Sequence, residues 1–78
     1  MRVLFFAQLR EVTGIAQAEI EADGVDADSL WSTLAERWPG LSGHRRNIRL
    51  ARNGSYAAPG EVFRANDEVA LIPPVSGG

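Results

Sequence analysis

Only one stretch of the chain carries a helical stripe, and the apolar residues on either side of it either alternate or form short runs. Ala27, Leu30, Trp31, Leu34, Ala35 and Trp38 recur at helical spacing and so share one side of a helix. Asp26, just before them, suits an N-cap because its carboxylate accepts from first-turn N–H groups. Asp28 suits the positive end of the helix dipole. Pro39-Gly40 cannot continue the helix, which therefore ends near Trp38. A helix with one apolar side must lay it on something, and this chain offers only strands to receive it.

Val3 to Leu9 is a short apolar run of strand formers, read as a first strand and punctuated by Thr13-Gly14. From Ala16 to Ala22 the pattern alternates strictly, with Ala16, Ala18, Ile20 and Ala22 against Gln17, Glu19 and Glu21. That is a half-buried strand with one wet side. The two segments predict an antiparallel hairpin. After the helix, residues 41–47 read as polar and irregular. Ile48 to Arg52 alternates again, and Asn53-Gly54 marks a hairpin turn into a short strand around Tyr56. Pro59-Gly60 and Asn66-Asp67 mark loops. Glu68 to Ile72 is a last strand, ended by Pro73-Pro74. The order predicts an α+β fold in which one main helix covers a mixed sheet, the β-grasp or ubiquitin-like arrangement. The expected domain is 1–74, with a flexible Gly-Gly tail over 75–78.

The chain has 78 residues, enough for one domain. A domain this small buries only about 60% of its unfolded surface and has little room for a deep private cleft. Composition removes most side-chain chemistry. There is no cysteine, so thiolate nucleophiles, zinc–thiolate sites and iron–sulfur ligation are excluded. The single histidine cannot build a multi-histidine metal site. All eight basic residues are arginine, so no side-chain amine can form a Schiff base or accept an isopeptide bond. A net charge of −2 argues against a protein that works by neutralising nucleic-acid phosphates. No apolar run is long enough to cross a membrane, and the opening residues turn polar at Gln8, too soon for a signal-peptide core. The expected compartment is cytoplasmic, with neither nucleic acid nor membrane as partner.

No phosphate loop, dinucleotide fingerprint or nucleophile elbow is present. Glu19 and Glu21 read as the solvated side of a strand, and Asn53-Gly54-Ser55 as a turn rather than a glycosylation sequon. His44, Arg45, Arg46, Arg49 and Arg52 form a loose basic cluster, read first as a solvated loop and second as a dock for an acidic partner or a phosphate. The C-terminal residues are different. Ser76-Gly77-Gly78 follows a stiff Pro-Pro pair and reads as a reactive handle. Glycine has no Cβ, so such an end can enter a narrow tunnel in another protein. Extended, residues 73–78 could reach about 20 Å. A terminal carboxylate is ionised at neutral pH and is a poor acyl donor, so a partner must activate it.

The opening Val3-Leu4-Phe5-Phe6-Ala7-Gln8-Leu9-Arg10-Glu11 and the closing Asp67-Glu68-Val69-Ala70-Leu71-Ile72-Pro73-Pro74-Val75-Ser76-Gly77-Gly78 resemble the two signature ends of the molybdopterin synthase small subunit, the MoaD type of ubiquitin-like sulfur carrier. The resemblance implies a sulfur-donating subunit whose catalytic groups lie on the large synthase subunit, with which it forms a heterotetramer. It implies that an E1-like adenylyltransferase activates Gly78 with ATP. A sulfur donor protein then converts the adenylate to a thiocarboxylate, and the sulfur passes to cyclic pyranopterin monophosphate. No cofactor is bound by the chain itself. Gly77, Ser76, Val75, Pro74, Pro73, Ile72, Phe6 and Tyr56 are then partner-binding positions, although Tyr56 departs from the aliphatic residue of the family's docking surface. Other readings are a β-grasp sulfur donor for thiamine, cysteine or tungsten-cofactor synthesis, and a ubiquitin-like protein modifier.

Strand alternation adds an expectation of its own. Val3, Phe5, Ile48, Leu50, Val69 and Leu71 should face the helix. Leu4, Phe6, Ala70 and Ile72 should then face away, where nothing in the chain covers them.

Overall fold

The computed structural model describes residues 1–73; Pro74, Val75, Ser76, Gly77 and Gly78 lie outside the described residues, and with them the tail expected over 75–78. Within 1–73, period-two patterning produces five strands, namely β1 (Arg2–Phe5), β2 (Gln17–Glu19), β3 (Arg49–Arg52), β4 (Ser55–Tyr56) and β5 (Glu68–Ile72). They form one sheet in the order β2-β1-β5-β3-β4. β1 and β2 are the antiparallel hairpin, in a register that pairs Val3 with Ala18. β1 and β5 run parallel, pairing Val3 with Val69 and Phe5 with Leu71. β3 is antiparallel to both β5 and β4. The sheet is therefore mixed. Its parallel pair is joined through the helix rather than by a tight turn, as parallel strands require.

Among the described residues there are two α-helices, α1 (Gln8–Thr13) and the main helix α2 (Ala27–Arg37). α2 begins where the Asp26 carboxylate accepts a hydrogen bond from the Ser29 N–H at 2.8 Å. Its stripe buries Leu30, Trp31 and Leu34 against Val3, Phe5, Val69 and Leu71 in one core cluster. The side chains buried in this core are all apolar. Burying side chains of this kind is worth about 1.5–3 kcal/mol each relative to exposure, and this term holds the sheet to the helix.

The structure corrects two expectations. The apolar run from Val3 to Leu9 is not one strand. β1 stops at Phe5, and Ala7 adopts φ 51°, ψ −128°, turning the chain into α1. Leu9 then reaches the core from a helix, fully buried. Gly14 closes α1 in the left-handed conformation (φ 81°), which glycine tolerates without a Cβ penalty. Residues 41–47 are not irregular either: Pro39–Asn47 winds as 3-10 turns and buries Leu41 completely.

Candidate functional site

Alternation puts every second residue of the central strands on the side away from α2. The registers order these residues into rows across the sheet. The first row is Glu19, Arg2 and Glu68. Arg2 pairs with Glu19 at 3.8 Å and Glu68 at 3.6 Å, so this end is charged and self-satisfied. The middle row is Gln17, Leu4, Ala70, Ala51 and Tyr56. At the far end β5 pairs Ile72 with Arg49, while the chain leaves β1 at Phe6.

This far end is the apolar end. Phe6 is 46% exposed there, and Tyr56, in the middle row on the edge strand, is 54% exposed. Ile72 and Pro73 are half-buried. Four sequence-predicted partner-binding residues are thereby placed. Phe6, Ile72 and Pro73 belong to the end of the sheet where the chain runs on toward residue 74, and Tyr56 sits on the edge strand beside Ala51. Gly78, Gly77, Ser76, Val75 and Pro74 are outside the described residues. Large exposed apolar side chains on so small a domain make this face the candidate interaction surface.

One further residue was not singled out by sequence reasoning, and another was read there in a different setting. Ile15, 38% exposed, immediately precedes the point where the Phe5 N–H donates to the Ala16 carbonyl at 2.8 Å and extends the hairpin ladder. Its signal was available, two positions ahead of Gln17 in the same alternation. The other is Arg49, read in the sequence as part of the loose basic cluster, whose guanidinium carbon lies 3.8 Å from the centre of the Tyr56 ring.

Three members of the basic cluster, Arg45, Arg52 and Arg49, are directed apart from one another. Arg45 pairs with Asp28 and lies 5.9 Å over Trp31, beside α2. Arg52 is on the helix side of β3, where it donates to the Val62 carbonyl at 2.8 Å and pairs with Glu61 at 2.8 Å and Asp67 at 3.6 Å. Arg49 alone faces the open side of β3. Strand alternation separates residues that are close in sequence. Among the described residues no group of His, Cys, Asp and Glu is arranged to hold a metal ion, and no helix is long and apolar enough to cross a membrane.

A mixed five-stranded sheet with one main helix across one face and an open apolar end on the other defines a ubiquitin-like β-grasp protein. Residues 3–78 match the model of the ThiS family. The human molybdopterin synthase sulfur carrier subunit is 37% identical over 82 aligned residues, covering 100% of this chain and 93% of that protein. Among solved structures, SAMP1 of Haloferax volcanii superposes with a TM-score of 0.82 at 35% identity, covering 100% of this chain and 98% of that one. Subunit 1 or 2 in the complex of the molybdopterin-converting factor of Helicobacter pylori superposes with a TM-score of 0.74 at 26% identity, covering 99% and 96%. The chain belongs to the ThiS family, and its sequence resembles the molybdopterin synthase sulfur carrier subunits within reach of that family.

Proposed function

We propose that the chain is the sulfur carrier subunit of molybdopterin synthase and that Gly78 carries the sulfur. The reading is carried by one juxtaposition. The apolar end of the open sheet face, with Phe6 and Ile72, lies at the root of a segment that reads Pro73-Pro74-Val75-Ser76-Gly77-Gly78. The full-length likeness to the human sulfur carrier subunit supports it.

In this reading the Gly78 carboxylate attacks the α-phosphorus of ATP on an E1-like enzyme. Pyrophosphate leaves and an acyl adenylate forms. Activation is needed because attack on a free carboxylate would have to expel oxide. A sulfur nucleophile at the oxidation level of sulfide, delivered by a donor protein, then displaces AMP, leaving a thiocarboxylate. The open face docks on the large subunit, a reading supported by the solved complex of subunits 1 and 2 of the molybdopterin-converting factor of Helicobacter pylori. Gly77 and Gly78 enter that subunit's active site, where the thiocarboxylate sulfur forms a bond to a carbon of cyclic pyranopterin monophosphate as a carbon–oxygen bond at that carbon breaks and its oxygen group leaves. Hydrolysis of the resulting acyl–sulfur bond returns the Gly78 carboxylate and leaves sulfur on the pterin. Two such transfers complete the dithiolene. Acid and base groups come from the large subunit. The absence of cysteine suits this role, since no internal thiol competes with the thiocarboxylate.

The test is an intact mass after incubation with the activating enzyme, ATP and a sulfur donor. The expected gain equals one oxygen exchanged for one sulfur, localised to Gly78 by fragmentation and lost when Gly78 is deleted. A second reading, a protein modifier, is favoured by the 35% identity to a small archaeal modifier protein. Amide conjugates to lysines of other proteins, in place of the mass gain, would establish it instead.

A further inference from the structure

We infer that Arg49 is a specificity-determining residue of the open face and takes a carboxylate of the large subunit as the two proteins dock. The inference rests on the proposed docking of this face on that subunit.

A guanidinium has two distinct recognition surfaces. Its flat face stacks on aromatic rings, while its N–H donors point outward in the plane and match a carboxylate two at a time. In this protein the flat face is already used. The Tyr56 ring lies under Arg49 with 3.8 Å between guanidinium carbon and ring centre, a cation–π arrangement that restricts the long side chain. Among the described residues no carboxylate pairs with Arg49. Arg2, Arg45 and Arg52, by contrast, each pair with at least one. The donors of Arg49 are therefore oriented and open.

Its position makes this a matter of docking. Arg49 is opposite Ile72, at the last ladder position before the chain leaves the sheet. The face around it is apolar (Ile72, Tyr56, Phe6). The carboxylates of the same face, Glu19 and Glu68, are at the other end and held by Arg2. Among the described residues, Arg49 is thus a charge at the apolar end that no carboxylate pairs with. A protein surface that covers Phe6 and Ile72 also removes water from Arg49, and a guanidinium desolvated without a partner is costly. The covering surface must therefore present an Asp or Glu there, and a surface lacking one is rejected. A free phosphate anion would neither need nor cover the surrounding apolar side chains.

The experiment measures Kd between the full chain and the purified large subunit by titration calorimetry, at rising ionic strength, for the wild type and for Arg49→Glu, Arg49→Met and Arg49→Lys. Thermal melts confirm that each variant folds. Arg49→Glu is expected to weaken binding about 30-fold or more. Arg49→Met should bind weakly and lose most of the salt dependence. Arg49→Lys, which keeps the charge but not the fork, should fall between wild type and Arg49→Met. Changing the facing acidic residue of the large subunit to Arg should restore Arg49→Glu. Wild-type affinity in Arg49→Glu overturns the inference. So does an equal loss in Arg49→Glu and Arg49→Met with the salt dependence unchanged, which would make Arg49 an apolar packing residue. Should Arg49→Glu fail to fold, Arg49→Met and Arg49→Lys decide alone. If the wild type itself does not bind the large subunit, the docking reading fails rather than the role of Arg49 within it.

Discussion

Phe5 and Phe6 are neighbours of the same residue type with opposite fates. Phe5 is 1% exposed and meets Trp38 edge-on, with ring centres 5.0 Å apart. Phe6 is 46% exposed. The difference is one step along a strand, which moves a side chain from the face that α2 covers to the face that it does not. A β-grasp sheet has one helix to give, so an apolar residue at an alternate position is left for another molecule. The two faces therefore have different jobs. The covered face holds the fold, and the open face, graded from the Glu19–Arg2–Glu68 ion pairs to Phe6 and Ile72, is free to recognise.

The strongest way to break this comparison is to truncate each phenylalanine in turn. Phe5→Ala is expected to cost about 3–5 kcal/mol, as large-to-small core changes do. A domain of this size has a total stability on the order of 5 kcal/mol, so the variant should be largely unfolded in a urea titration. Phe6→Asp should shift stability by no more than about 0.5 kcal/mol, as for ordinary surface changes. It should nevertheless lose binding to the large subunit, because it places a charge in an apolar contact. Unfolding of Phe6→Asp to the same extent as Phe5→Ala would reverse the assignment of the faces.

The two faces were legible because alternation is a strong signal wherever it runs unbroken, as in Val3-Leu4-Phe5-Phe6 and Val69-Ala70-Leu71-Ile72. The cap at Asp26, the stripe of α2 and the Asn53-Gly54 turn were legible for the same reason, each being a local pattern with a local cause. What failed was the point where one pattern gives way to another inside an apolar run. Residues 3–9 are apolar almost throughout, so nothing marks the switch from strand to α1. The switch is made by the backbone of Ala7, at φ 51°, where a sequence reader expects glycine. Leu41 and Phe63 were missed because each is a single buried side chain in a polar segment, without periodicity. In the site, Phe6 and Ile72 followed from alternation. Tyr56 followed from the resemblance. Arg49 was hidden in a run of arginines that the fold disperses.

Ala7 also supplies an intermediate effect. A non-glycine residue at these angles costs about 1–3 kcal/mol. Glycine would relieve that, less about 0.5–1 kcal/mol for its greater freedom in the unfolded chain. Ala7→Gly should therefore raise the urea midpoint, by the equivalent of about 1 kcal/mol, while β1 keeps both faces and partner binding is retained. A lower midpoint would mean that the turn is not strained, and that Ala7 contributes contacts which outweigh its conformation.

The smallest effect concerns what anchors the cover. The Asp26 carboxyl is held below the usual carboxylate range chiefly by the hydrogen bond from the Ser29 N–H. Asp67 is held below it by the Arg64 N–H and then by the Asn53 amide. Because both values are lower in the folded chain, each group stabilises the fold above the unfolded carboxyl value of about 3.9, and the contribution fades as pH falls through the lower folded value. Asparagine at the cap still accepts the Ser29 hydrogen bond but does not titrate. Urea midpoints of the wild type and Asp26→Asn should therefore differ slightly near neutral pH, with the wild type higher, and converge in acid. A constant gap at every pH would mean that ionisation at the cap contributes nothing. Asp26 fastens the first turn of α2, and Asp67 ties the turn before β5 to Asn53, whereas the row Phe6, Ile72 and Arg49 contains no carboxylate. Acid should accordingly loosen the cover of the sheet while leaving the chemistry of the open apolar end unchanged.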